Sequence, residues 1–160
     1  MRSLLLLFAI FLVQSPQAPT SQQGVVQRGE HVMGFSHEKT THHFLLYANG
    51  GEINVSANDV GDKASIDQIR MHLGHIAKMF ASGNFNAPML IHDTTPPGVP
   101  TMSRLRDEIR YDFSETERGA RIRLTTANPQ AVDAIHAFLL FQIIDHETGD
   151  SPAIMAQSQK

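Results

Sequence analysis

The chain carries nine histidines and no cysteine in 160 residues. The histidines are His31, His37, His42, His43, His72, His75, His92, His136 and His146. Imidazole is the commonest protein metal ligand, and it titrates near neutral pH. Without thiols there are no disulfides and no thiolate sites, so any metal must be held by nitrogen, oxygen or the methionine thioether. Imidazole with thioether is a soft-to-borderline donor set, suited to copper more than to zinc or magnesium. Zinc is the other metal that histidines alone would serve.

Geometry divides the histidines before any fold is known. His42 and His43 are adjacent on a strand-like run and point to opposite faces, so at most one of them joins a given site. His72, His75 and Met79 share one flank of an amphipathic helix at i, i+3 and i+4 spacing. His92 lies in a proline-rich linker beside Asp93, where a histidine can be a ligand, a general base or a turn residue. His136 sits inside a strongly apolar helix and needs a partner if buried. His146 ends that helix, where a cation would favour the dipole. A strand, a helix and a long loop can converge at one end of such a domain. The expected metal ligands are therefore His42, His72 and His92, with Met33, His31, His136 and His146 as secondary candidates.

The elements that would position them form a pattern that occurs twice. Residues 42–47 and 52–57 read as strands joined by the turn Ala48-Asn49-Gly50-Gly51. Ile66, Ile69, Leu73, Ile76 and Phe80 then recur at helical spacing over 64–82, and Gly83 stops the helix. In the second half Ile109, Tyr111 and Phe113 alternate, Glu117-Arg118-Gly119 turns, and Ile122 and Leu124 alternate again. Asn128-Pro129 opens a helix to His146, with Asn as N-cap and Pro in the first turn. Two ββα units predict an α+β domain with a four-stranded antiparallel sheet and two helices packed on one face. The units span about 40–82 and 108–147 of a single domain over 25–150. The linker 83–107 holds four prolines and at most a short helix from Thr101 to Asp107. Residues 151–160 read as a disordered tail. The helix 129–146 has almost no polar face, so it is central or lies at a homodimer interface. Arg110, Arg121 and Arg123 fall on the outward sheet face and read as solvated.

The first twenty residues stand apart from the fold. Met1-Arg2 precedes an apolar run from Ser3 to Val13, shorter than the roughly 20 residues that span a bilayer. This reads as a signal peptide cleaved somewhere about 18–24, and predicts a periplasmic or secreted protein with no stable membrane anchor. A net charge of -3 gives no basic surface for nucleic acid. No phosphate loop, H-E-x-x-H, C-x-x-C-H or G-x-S-x-G motif is present.

The stretch Arg28-Gly29-Glu30-His31-Val32-Met33-Gly34-Phe35, followed by Thr40-Thr41-His42, Gly50-Gly51, Gly83-Asn84-Phe85 through Pro88 and Ile91-His92, resembles a family of small exported, histidine-containing bacterial proteins of unestablished function. The resemblance covers nearly all of the chain after residue 24. It implies that His31, Met33, His42, His72, His92, His136 and His146 form the functional set, with His37, His43 and His75 outside it. Some members carry the name aspartate carbamoyltransferase. The residues here do not support that activity, because the S-T-R-T-R type loop that binds carbamoyl phosphate is absent. The function expected is binding of a transition metal through histidines, copper first and zinc second. The alternatives are a haem or small-ligand module, a homodimeric interaction domain with pH-sensing histidines, and a hydrolase using Asp93.

Overall fold

The computed structural model describes residues 21–156. The expected signal peptide lies outside the described residues. The elements in chain order are α1 (Ser21–Met33), a 3-10 turn (His37–Lys39), β1 (Thr40–Tyr47), β2 (Gly50–Ala57), α2 (Lys63–Ala81), α3 (Asn86–His92), α4 (Val99–Arg104), a second 3-10 turn (Arg106–Glu108), β3 (Arg110–Thr116), β4 (Gly119–Thr125) and α5 (Pro129–Asp145). The four strands form one antiparallel sheet in the order β1-β2-β4-β3. The fold is α+β. No helix among the described residues is long and apolar enough to cross a membrane.

Side-chain alternation sets the two faces of the sheet. The register places His42 opposite Val55 and Phe44 opposite Ile53. It continues with Ile53 opposite Ile122 and Val55 opposite Ala120, then Ile122 opposite Phe113 and Leu124 opposite Tyr111. On this apolar face Tyr111 meets Phe80 of α2 edge-on at 6.1 Å. Gly51, on the same face, leaves room for α5: a Cβ there would lie 2.1 Å from Leu139 Cδ1. Phe80 and Phe138 meet edge to face at 5.9 Å, so the side chains of α2 and α5 share one core. The expected turn at Gly50-Gly51 is shorter than the sequence suggests. Both glycines already belong to β2, and Gly50, at φ 142°, faces the Leu124 carbonyl so closely that a Cβ would stand 2.1 Å from its oxygen.

The helix ends follow local chemistry. Asp62 caps α2 by accepting from the Ser65 amide at 3.1 Å, and the Ser65 hydroxyl donates back to its carboxylate at 2.8 Å. Asn128 caps α5 through the Gln130 amide at 2.9 Å, with Pro129 behind it. The stripe Ile66, Ile69, Leu73, Ile76 and Phe80 is buried. In α5, Ala131, Ala134, Ile135, Phe138, Leu139, Gln142 and Ile143 are buried, whereas Ile144 is 73 % exposed.

The region expected to be an extended linker is largely helical. Pro88 occupies the first turn of α3 and Pro100 the first turn of α4, where a missing N–H costs nothing. The prolines therefore start these helices instead of preventing them. Upstream, α1 buries Val25 and Met33 and ties to α3 through Arg28, whose Nε donates to the Ile91 carbonyl at 2.7 Å. The tail is not wholly free either. The Met155 amide donates to the Leu46 carbonyl at 2.8 Å, and Asp150 accepts from the Phe44 amide at 2.9 Å, both on the outer edge of β1. An exposed strand edge left unpaired would invite pairing with another chain, and these two bonds occupy part of it.

Candidate functional site

The apolar face of β1 carries His42 between Thr40 and Phe44, and all three are buried. Five further segments bring rings to it. Phe35, after α1, stacks on His42 at 6.0 Å and meets His72 of α2 edge-on at 5.6 Å. His146, the residue that caps α5, lies parallel to His42 at 5.8 Å with 9° between the planes. His92, the last residue of α3, meets His146 edge-on at 5.0 Å. His37 stacks on the far side, 6.4 Å from His42.

His42, His72, His92 and His146 border a cavity of about 60 Å³. Met33, His42, Phe44, His72, His92, Gln142 and His146 line it, together with aliphatic residues of β2, α2 and α3. A water needs about 15 to 30 Å³ depending on the measure, so the space admits only a few atoms. A haem is far too large for it. A metal ion or a very small molecule fits.

Among the described residues, no hydrogen-bond partner reaches the buried His42 Nε2 or the buried amide nitrogen of Gln142 in the same wall. A buried polar atom without a partner costs about 1–3 kcal/mol. His92 is different. Its Nδ1 is hydrogen-bonded to the Asp145 carboxylate, and its Nε2 to Gln142 Oε1 at 2.9 Å. Both ring nitrogens are occupied, so His92 joins a metal only by giving one partner up. The carboxylate that serves His92 is Asp145, and its sequence neighbour Asp93 is an exposed left-handed cap at the end of α3.

Electrostatics favour neutral rings here. Burial lowers His42 from the ordinary histidine range to about 4, helped by repulsion from His37, His72 and His43. Burial, and then His75, brings His72 to about 4. Burial, with His42 and His92 adding to it, takes His146 to about 3 against the opposing pull of Asp145. The expected helix-dipole cation at His146 is therefore overturned: desolvation outweighs the dipole.

The sequence candidates separate clearly. His42, His72, His92, His146 and Met33 meet at one cavity. His31 is exposed at the end of α1. The Nε2–H of His136 is spent on the carbonyls of Tyr47 at 2.9 Å and Gly50 at 3.0 Å, where it closes the β1–β2 turn. His43 donates to Asp150 at 2.8 Å on the opposite sheet face, and His75 is exposed. Arg110 pairs with Asp112 at 2.8 Å, Arg121 donates to Ser114 at 2.9 Å, and Arg123 lies 3.7 Å over the Tyr47 ring. These pairings match a solvated sheet face. Among the described residues, no three His, Asp or Glu side chains are arranged as a preformed metal cage. Sequence reasoning missed Phe35, Gln142 and Asp145. The only available signals were Phe35 within the Met33-Gly34-Phe35 run and the polar breaks Gln142 and Asp145 in an otherwise apolar helix.

Comparison of the chain with protein-family models, with curated proteins and with solved structures found no match.

Proposed function

We propose that the protein binds a single transition-metal ion, copper before zinc, in the histidine cavity. His42 Nε2 is the primary ligand, and Met33 with one further imidazole, His146 or His72, completes a site of two or three donors. One observation carries this reading: among the described residues the buried His42 Nε2 has no hydrogen-bond partner, and His42 lines a cavity with four other ligand-type side chains, Met33, His72, His92 and His146. The pKa directions support it, because neutral imidazole is the ligand form. The cavity volume supports an ion over a haem. His92, held by Asp145 and Gln142, serves to fix the ring of His146 from the side.

Dimerisation through α5 is a separate proposal resting on Ile144. The N-terminal run from Met1 to Val13 supports action in the periplasm or outside the cell.

The test is metal content after loading and exhaustive dialysis of untagged protein. Wild type is expected to retain one copper per chain, and His42→Phe, which keeps the ring stack with Phe35 and Phe44, to retain none. Equal copper in both proteins, or none in wild type, refutes the reading.

A further inference from the structure

We propose that the site selects a monovalent soft ion, Cu(I), over every divalent ion. This rests on the metal-binding reading above and deepens it. The reason is charge. No aspartate or glutamate lines the cavity. The nearest carboxylates are already committed, Asp145 to His92, and Asp150 to His43, the Phe44 amide and Thr148. The wall is made of neutral groups, with aliphatic and aromatic side chains around the imidazoles, the Met33 thioether and the Gln142 amide.

An ion entering such a space gives up water for a low-polarity surrounding, and the cost grows as the square of its charge. A dication therefore loses about four times as much solvation as a monocation, and the one carboxylate that acts on the wall, Asp145, stands behind His92 and is shared with it. Divalent copper and zinc also ask for more donors than the cavity presents, since no three His, Asp or Glu side chains converge among the described residues. Cu(I) has a filled d shell and accepts two or three ligands. Its preference for imidazole and thioether matches His42 and Met33, with His146 lying parallel beside His42. Calcium and magnesium need oxygen donors that the wall does not supply.

The experiment is an anaerobic competition titration of the full chain. A chromogenic Cu(I) chelator is the reporter, with parallel titrations of Cu(II), Zn(II) and Ni(II). Wild type, His42→Phe and Met33→Leu are compared, each first shown to be folded by its urea midpoint. The expected result is one Cu(I) per chain, bound at least about a thousand-fold more tightly than any of the divalent ions. Met33→Leu, which removes only the sulfur, is expected to weaken Cu(I) by about ten-fold or more and to leave the divalent ions unchanged. A divalent ion bound as tightly as Cu(I), and lost with His42→Phe, overturns the charge argument while metal binding at His42 stands. No stoichiometric binding of any ion overturns both.

Discussion

Acidification from pH 7 to pH 5 should destabilise the metal-free protein steeply, and the structure gives the size of the effect. His42, His72 and His146 sit at about 4, 4 and 3 in the folded chain, against 6.5 for a free histidine. The folded-state values lie below the unfolded value, so the unfolded chain binds more protons. Stability is fully present above about 6.5 and is lost as the pH falls toward the folded values. At pH 5 all three rings stay neutral in the fold, so the penalty depends mainly on how readily the unfolded rings protonate. That amounts to about 2 kcal/mol per histidine. Allowing for the partial exposure of His72 and His146, the three together cost about 4 kcal/mol, a large part of the 5–15 kcal/mol of a typical domain. The lowered carboxylate of Asp150 makes its contribution at lower pH, below the ordinary value of 3.8, so the window between pH 5 and 6.5 isolates the histidines. Urea denaturation followed by far-UV circular dichroism should show the midpoint falling by about 2 M between pH 7 and pH 5, taking a slope of about 2 kcal/mol per M. His42→Phe should reduce that fall by about a third, because one proton fewer is taken up on unfolding. An unchanged midpoint across this range would refute the burial of neutral imidazoles.

Three further outcomes follow from single contacts. His136→Ala removes the donor shared by the Tyr47 and Gly50 carbonyls, and should lower stability by about 1–3 kcal/mol in urea titration while leaving copper content intact. Gly51→Ala places a methyl 2.1 Å from Leu139 Cδ1 and 2.7 Å from the Leu45 carbonyl. It should cost at least about 1–3 kcal/mol in thermal melts, with Leu139→Ala as a partial rescue. Asp150→Ala frees the Phe44 amide and His43 on the edge of β1, so hydrogen exchange at Phe44 should speed up, whereas Ile53 in the sheet interior should be unchanged.

What the sequence made legible is what local periodicity encodes. The alternation of Ile53, Val55, Ile122 and Leu124 marks the buried sheet face, and the Ile66 to Phe80 stripe marks α2. Asn128-Pro129 marks the start of α5. The two helices α1 and α3 were hidden for physical reasons: Pro88 looks like a breaker until it is placed in a first turn, and Gly29 interrupts the α1 pattern. The candidate site was legible only in part. His42, His72 and His92 do reach one cavity. The pairing of His92 with Asp145 joins residues 53 apart in sequence, and no local pattern signals it, whereas adjacent Asp93 drew attention for no structural reason. His146 ranks only as a secondary candidate from sequence, because its contacts with Phe44 and His42 depend on how α5 returns to β1.

The most direct test of the central claim is a proton–nitrogen NMR titration of the histidine rings with Cu(I), which is diamagnetic and leaves every ring visible. The account predicts that the Nε2 resonance of His42 moves first and saturates at one equivalent, together with His146 or His72, while His43 and His136 stay fixed. If His42 remains fixed while exposed His31 or His75 responds, the cavity is not the site and the account is contradicted.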